Sequence, residues 1–166
     1  YNKINFYVIL YILNRYDSSI YRISKIINEF FFAYLKSSFG TISPALKRLE
    51  KMGCVEFIEK MSDGGMKTKI YSITPTGKKH LSYLLLNYEQ ENPFYIVNEV
   101  KILLYCSSVL SVNELIEFKN NIKNILELYK INLEKNLKNE YIELDELQKN
   151  TVLLTLSHTD ELLKLI

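Results

Sequence analysis

The chain has 166 residues, 48% hydrophobic and 24% charged, with five Gly and three Pro, a composition that excludes a disordered tail and a fibre and suits one core or two small ones. Its longest apolar runs, residues 6–13 and 81–86, fall well short of the roughly 18 residues a bilayer span needs. No secretory leader is visible and Cys54 and Cys106 form no paired framework, so the expected compartment is the cytoplasm. The net charge of +2 hides a division: residues 1–88 carry 13 Lys and Arg against 6 Asp and Glu, and residues 89–166 carry 8 against 13. Asymmetry of this kind hints at a part facing nucleic acid joined to a part with another task.

Residues 4–14 are apolar nearly all round, the mark of a buried central helix. Asp17, Ser18 and Ser19 offer caps for a second helix, in which Ile20, Ile23, Ile26, Ile27 and Phe30 recur at helical spacing. The stretch "SSFGTISPALKRLEKMGCVE", residues 37–56, predicts a third helix. At about 100° per residue Ile42, Ala45, Leu46, Leu49 and Met52 share one side. Ser43, Lys47, Lys51 and, nearer the edge, Arg48 share the other. Pro44 fits only a first turn, which sets the expected start at Gly40 or Thr41. Gly53 is the expected stop, with Lys51 in the last turn as the helix dipole prefers. Two β-rich runs around Asp63-Gly64-Gly65 read as a hairpin with Lys67 and Lys69 near its tip. Thr74 and Pro75 then serve as cap and first residue of a fourth helix, whose Leu81, Leu84, Leu85 and Tyr88 form one stripe.

A boundary falls at residues 87–94, where Pro93 lacks the donor a helix needs and biases Asn92 away from helical geometry. Beyond it residues 94–110 read as one helix, and Ser111 with Glu114 as the capping box of a longer one. There Leu115, Phe118, Ile122, Ile125 and Tyr129 step by three and four, a seam of about two heptads. Asn132 and Asn136 interrupt it, and Leu126, Leu133 and Leu137 form a neighbouring stripe. Residues 144–166 carry apolar residues on more than one side, Leu154 and Leu162 among them. So small a domain has few residues to cover the seam, so it is expected at a dimer interface rather than inside the subunit, with Leu154 and Leu162 contributing.

Helix, helix, basic amphipathic helix and hairpin is the order of a winged helix-turn-helix, in which the third helix enters the DNA major groove and the hairpin touches the flank. Small residues at that helix start let backbone amides approach phosphate, and lysines add charge along the face. "GTISPALKRLEKMGCVE" and then "DGGMKTKIYSITPTGKKHL" also resemble the PadR family of bacterial transcriptional regulators. That family's pattern runs G-T-I-Y-P-x-L-x-R-L-E-x-x-G-L-[IV], a Gly-rich wing, then Y-x-[IL]-T-x-x-G-x-x-x-L. Gly40, Thr41, Ile42, Pro44, Leu46, Arg48, Leu49, Glu50, Gly53, Tyr71, Thr74, Gly77 and Leu81 fall on it in register.

The expected fold is therefore mainly α with a small β-hairpin wing: a winged helix-turn-helix DNA-binding domain over residues 1–88, a boundary at 89–93 and an all-α helical dimerisation domain over 94–166. The resemblance implies a homodimer on a dyad-symmetric double-stranded operator, commonly as a repressor. The residues expected to meet DNA are Tyr21, Ser38, Thr41, Ser43, Pro44, Lys47, Arg48 and Lys51 with the wing's Lys67 and Lys69, and Ser43, Lys47 or Arg48 are the ones to reach base edges. Two departures bear on the operator: Ser43 stands where the family has Tyr, and the "HGY" usual before the second helix appears as Ser18, Ser19, then Ile20-Tyr21.

Other features read as structural. His80 and His158 lie apart from any ligand-spaced partner, Cys54 reads as a small buried hydrophobe, and "TPTGKKH" lacks the earlier Gly and the following Ser or Thr of a phosphate loop. No catalytic constellation, metal or cofactor is expected. Phe30, Phe31, Phe32 and Tyr34 read as core and domain-interface packing. Two rivals stand beside constitutive DNA binding. One is a switch in which a small hydrophobic effector at the domain junction or dimer interface shifts the two wings. The other is a winged-helix module that docks protein instead of DNA.

Overall fold

A computed structural model describes residues 3–61 and 64–166. The chain begins with helix α1 (Ile4–Arg15), which is buried on almost every side because it has almost no polar face. A short strand β1 (Ser18–Ser19) leads into α2 (Ile20–Phe30), and α3 (Phe39–Lys51) follows. Strands β2 (Val55–Met61) and β3 (Lys67–Ile73) form the hairpin, and α4 (Pro75–Leu86) closes the first half. After a turn of 3-10 helix at Pro93–Tyr95 come α5 (Ile96–Cys106), a second such turn at Ser107–Val109, α6 (Val112–Leu137) and α7 (Glu146–Leu165).

The local chemistry of the sequence explains most of these bounds. Ser19 caps α2 by accepting the Arg22 N–H at 3.2 Å, Thr74 caps α4 by accepting the Gly77 N–H at 3.0 Å, and Ser111 with Glu114 forms the capping box of α6. Gly53 ends α3 at φ 69°, the left-handed conformation that a side chain disfavours. The segment expected as one helix over residues 94–110 is α5 with a tighter 3-10 turn at each end.

The sheet is antiparallel in the order β1-β3-β2, with Val55 opposite Ile73, Phe57 opposite Tyr71, Glu59 opposite Lys69 and Met61 opposite Lys67. Asp63 of the expected turn lies outside the described residues, and Gly65, two positions on, has φ 77°. The third strand was not expected. Ser18 and Ser19 pair with Tyr71 and Ile70, and two small polar residues carry no strand pattern of their own.

One hydrophobic core runs through the whole chain. Buried side chains of α1, α2, α3 and α4 join Ile96, Val100, Leu103 and Cys106 of α5 and Phe118, Ile122 and Leu126 of α6 in a single cluster. The expected boundary at residues 89–93 interrupts the helices but not the core. α5 packs on α1 and α6 packs on α4, so the second half completes the interior of the first.

That packing corrects the expected dimer seam. Phe118 and Ile122 are completely buried inside the chain's own core and Leu162 is 4% exposed, so these three have no surface to offer a partner. Leu115, Ile125 and Tyr129 are half-buried against the same core, and Leu154 alone of the seven stands open, at 59%. The period of three and four does mark a buried stripe; what covers it is α4 and α7. Among the described residues no helix is long and apolar enough to cross a membrane.

Candidate nucleic-acid interface

Helix α3 is divided sharply. Ile42, Ala45, Leu46 and Leu49 are buried, and the opposite side carries Gly40, Pro44, Lys47 and Lys51 in one line, with Arg48 on one flank and half-buried Ser43 on the other. All four residues of that line are exposed, and among the described residues Lys47 and Lys51 make no ion pair. The helix thus presents a ridge of two cations, with Gly40 on the same line in the first turn and Phe39, 50% exposed, as its first residue.

The N-terminal turn is held by local hydrogen bonds. The Thr41 hydroxyl accepts the Ser38 N–H at 3.1 Å, donates to the Ser38 carbonyl at 2.9 Å and lies 3.0 Å from the Ser37 hydroxyl. Helix α3 therefore begins one residue before Gly40, with Ser38 as cap, and Pro44 stands in the second turn rather than the first. The expectation failed because Pro44 removes only the hydrogen bond to the Gly40 carbonyl, and both residues lie on the exposed side, where an unpaired acceptor costs little.

At its far end α3 is tied to the sheet and to α4. The Thr74 hydroxyl donates to the Gly53 carbonyl at 2.6 Å, and the Thr74 N–H reaches the Cys54 carbonyl at 3.0 Å. Gly77 follows in van der Waals contact with the same turn: a Cβ built there would lie 2.0 Å from the Cys54 carbonyl oxygen. Gly53, Thr74 and Gly77 thus fix the angle between α3 and the hairpin.

On the hairpin Lys67, Lys69 and Tyr71 share the face that, nearer the body, joins the core, since they alternate with Thr68, Ile70 and Ser72. The Lys67 ammonium lies 3.6 Å from Glu59, an exposed pair that screens little of its charge. Lys69 lies over the Phe57 ring at 3.7 Å, and Phe57 in turn packs 5.6 Å from the Tyr71 ring. Lys69 is thus held on an aromatic shelf, a contact that its position near the turn did not reveal. Burial raises the Tyr71 phenol above its ordinary range, keeping it neutral.

Tyr21, on the first turn of α2, is 65% exposed. The structure brings Ser43, Pro44, Lys47, Arg48 and Lys51 onto one ridge and Lys67 and Lys69 onto one hairpin face, whereas Ser38 and Thr41 serve the cap of α3. Gly40, in line with Lys47 and Lys51, belongs to the same surface, although the sequence marked it only as a helix start. Its spacing of four and seven from Pro44 and Lys47 was the signal.

Helix α3 packed on α2 and α1, with a three-stranded wing and a cationic outer ridge, defines a winged helix-turn-helix protein. Residues 9–83 match the model of the transcriptional regulator PadR-like family, so this part of the chain is similar to that family. Bacillus subtilis PadR in complex with operator DNA is 19% identical over 100% of this chain and 99% of its own, with a TM-score of 0.51, a likeness that shows the fold end to end. The same regulator in complex with p-coumaric acid is 23% identical over 97% of this chain and 90% of its own, at a TM-score of 0.45. A Streptococcus mutans protein, smu.1704, is 34% identical over 48% of this chain and 71% of its own, at a TM-score of 0.42. No curated protein matches the chain.

Proposed function

We propose that this PadR-like regulator binds a dyad-symmetric operator in double-stranded DNA as a homodimer and represses transcription. The observation that carries the reading is the outward line of Gly40, Pro44, Lys47 and Lys51 on α3. Gly40, on the ridge side of the first turn, admits the phosphate backbone to the positive end of the helix, and the lysines extend the positive field along the groove. Ser43 and Arg48, on the flanks of the ridge, read base edges, and Lys67 and Lys69 of the wing and Tyr21 of α2 hold the adjoining backbone.

The homodimer draws on a face other than the one the heptad period suggested. Leu147, Leu154 and Leu165 fall on one side of α7 and are 76%, 59% and 64% exposed, and Leu128 and Ile131 of α6 are 59% and 48% exposed. Apolar exposure on this scale along a long helical hairpin is what a second copy would cover.

Fluorescence anisotropy of a labelled operator duplex at several salt concentrations tests the DNA reading. Replacing Lys47 with Ala is expected to weaken binding to every sequence and to flatten the log-log salt slope by about 0.9 for each phosphate it no longer neutralises. An unchanged slope would show that this side chain does not touch the backbone.

A cavity of about 540 Å³ where α1, α4 and α5 converge supports a ligand-responsive version of the same function. Tyr7, whose hydroxyl donates to the Leu84 carbonyl at 3.0 Å, and Tyr88, whose hydroxyl donates to Glu99 at 2.5 Å, lie in its wall. An effector there touches both the winged helix and the helical extension. The check is a thermal-shift screen with DNA competition: an effector raises the melting temperature and releases DNA, and a constitutive regulator yields no such compound.

A further inference from the structure

Away from the α3 ridge and the wing, a groove of about 580 Å³ runs between the C-terminal half of α1 and the exposed side of α2. Its apolar lining includes Ile12, Ile26 and Phe31, the last fully buried, and Phe30, 55% exposed, also borders it. Two arginines, Arg15 and Arg22, line the same space. Arg15 donates to the Tyr11 hydroxyl at 3.1 Å and lies 5.9 Å from the centre of that ring, and Arg22 lies 5.3 Å from the centre of the Tyr16 ring. Glu29, the one acid among the described residues of the lining, is 3.9 Å from the Lys25 ammonium, so the field in the groove is positive.

Each arginine is steadied by a tyrosine, Arg15 through the Tyr11 hydroxyl and Arg22 beside the Tyr16 ring, yet retains most of its five donors for an anion. Two such forks suit a dianion better than a monoanion, and a phosphate monoester, with a charge near −2 and three acceptor oxygens, matches them. A bare phosphate leaves most of the volume and all of the apolar lining unused. Phe30 is braced edge-on by Phe31 and Tyr105 at 5.2 and 5.3 Å, which fixes it as a surface for a flat ring. We propose that this groove binds a small molecule joining a flat aromatic ring to a phosphate monoester, the chemistry of a nucleoside monophosphate, with the phosphate held by Arg15 and Arg22 and the ring on Phe30.

The test is calorimetric titration of the full chain with AMP and GMP, with adenosine, inorganic phosphate and benzoate in parallel arms, repeated on Arg15→Gln, Arg22→Gln and Phe30→Ala. The expected result is one nucleotide per chain, with each arginine change weakening it by about tenfold or more and each incomplete ligand binding at least about tenfold more weakly. Because Phe30 is largely exposed, its truncation leaves the fold intact and still lowers nucleotide affinity. The proposal is overturned if neither nucleotide saturates, if adenosine or benzoate binds as well as AMP, or if all three variants bind like the parent. It is equally overturned if the arginine changes lower only DNA affinity, which would assign them to the DNA backbone. The DNA titration of the parent chain is independent of these arms, so failure here leaves the operator reading standing.

Discussion

Single residues carry the geometry of the surface proposed to face DNA, and two substitutions separate positioning from reading. Gly77→Ala drives a methyl group into the Cys54 carbonyl, 2.0 Å away in the native packing, and against Ile73. Backbone cannot yield there, so the change is expected to lower stability by more than about 3 kcal/mol, measured by denaturant unfolding. A loss below about 1 kcal/mol would mean that α4 can move away from the α3 turn without penalty. Ser43, half-buried on the flank of the ridge, is the position where the family pattern has Tyr. Ser43→Tyr is expected to change which operator is preferred while leaving the fold intact, read by competitive selection on a mixed pool of duplexes. Equal losses on matched and scrambled duplexes would remove its base-reading role.

At the scale of elements, the capping box of α6 gives a pH signature. The Glu114 carboxylate accepts the Ser111 N–H at 2.8 Å, and its hydrogen bonds with Ser111 hold its pKa below the ordinary carboxylate range. A depressed carboxylate stabilises the fold above its ordinary range, and that contribution is lost as pH falls through the lowered value. The melting temperature of Glu114→Ala should therefore lie below that of the parent at neutral pH, and the gap should close on acidification through the lowered value. A gap constant across that range would place the effect elsewhere in the helix. Elements with a strong local signal were legible in the sequence: α3 by its two-sided pattern, α4 by Thr74-Pro75, α6 by Ser111 and Glu114. β1 was not, because its two serines form a strand only when β3 lies beside them. Nor was the cover of Phe118 and Ile122, since a helical period shows that a stripe is buried and not by which neighbour. The turn signal was enough to put Lys67 and Lys69 on the hairpin, but the shelf beneath Lys69 depends on register across it, which pairs Phe57 with Tyr71.

For the whole molecule, the continuous core joins the winged helix to α5 and α6, so the two halves are expected to unfold together. Phe118→Ala should lower the stability of the entire chain by about 3–5 kcal/mol in a single transition and leave the oligomeric state of the folded fraction unchanged. Leu154→Glu, on the exposed side of α7, should do the reverse, yielding folded single chains in sedimentation equilibrium with melting behaviour limited to the loss of the pairing contribution. If Leu154→Glu left the mass of the particle unchanged, the pairing surface would lie away from α7.

In the proposed homodimer, two ridges related by a twofold axis make a demand on DNA that one ridge does not. Recognition helices about 34–36 Å apart require half-sites whose centres are about 10–10.5 base pairs apart, or a multiple of that. Selecting duplexes from a random pool with the full chain, and sequencing what remains bound at physiological salt, measures this directly. Paired α3 ridges reading successive major grooves predict inverted repeats at that spacing. A pool that stays random, with affinity in the non-specific range of about 10⁻⁴ to 10⁻⁶ M, would contradict it.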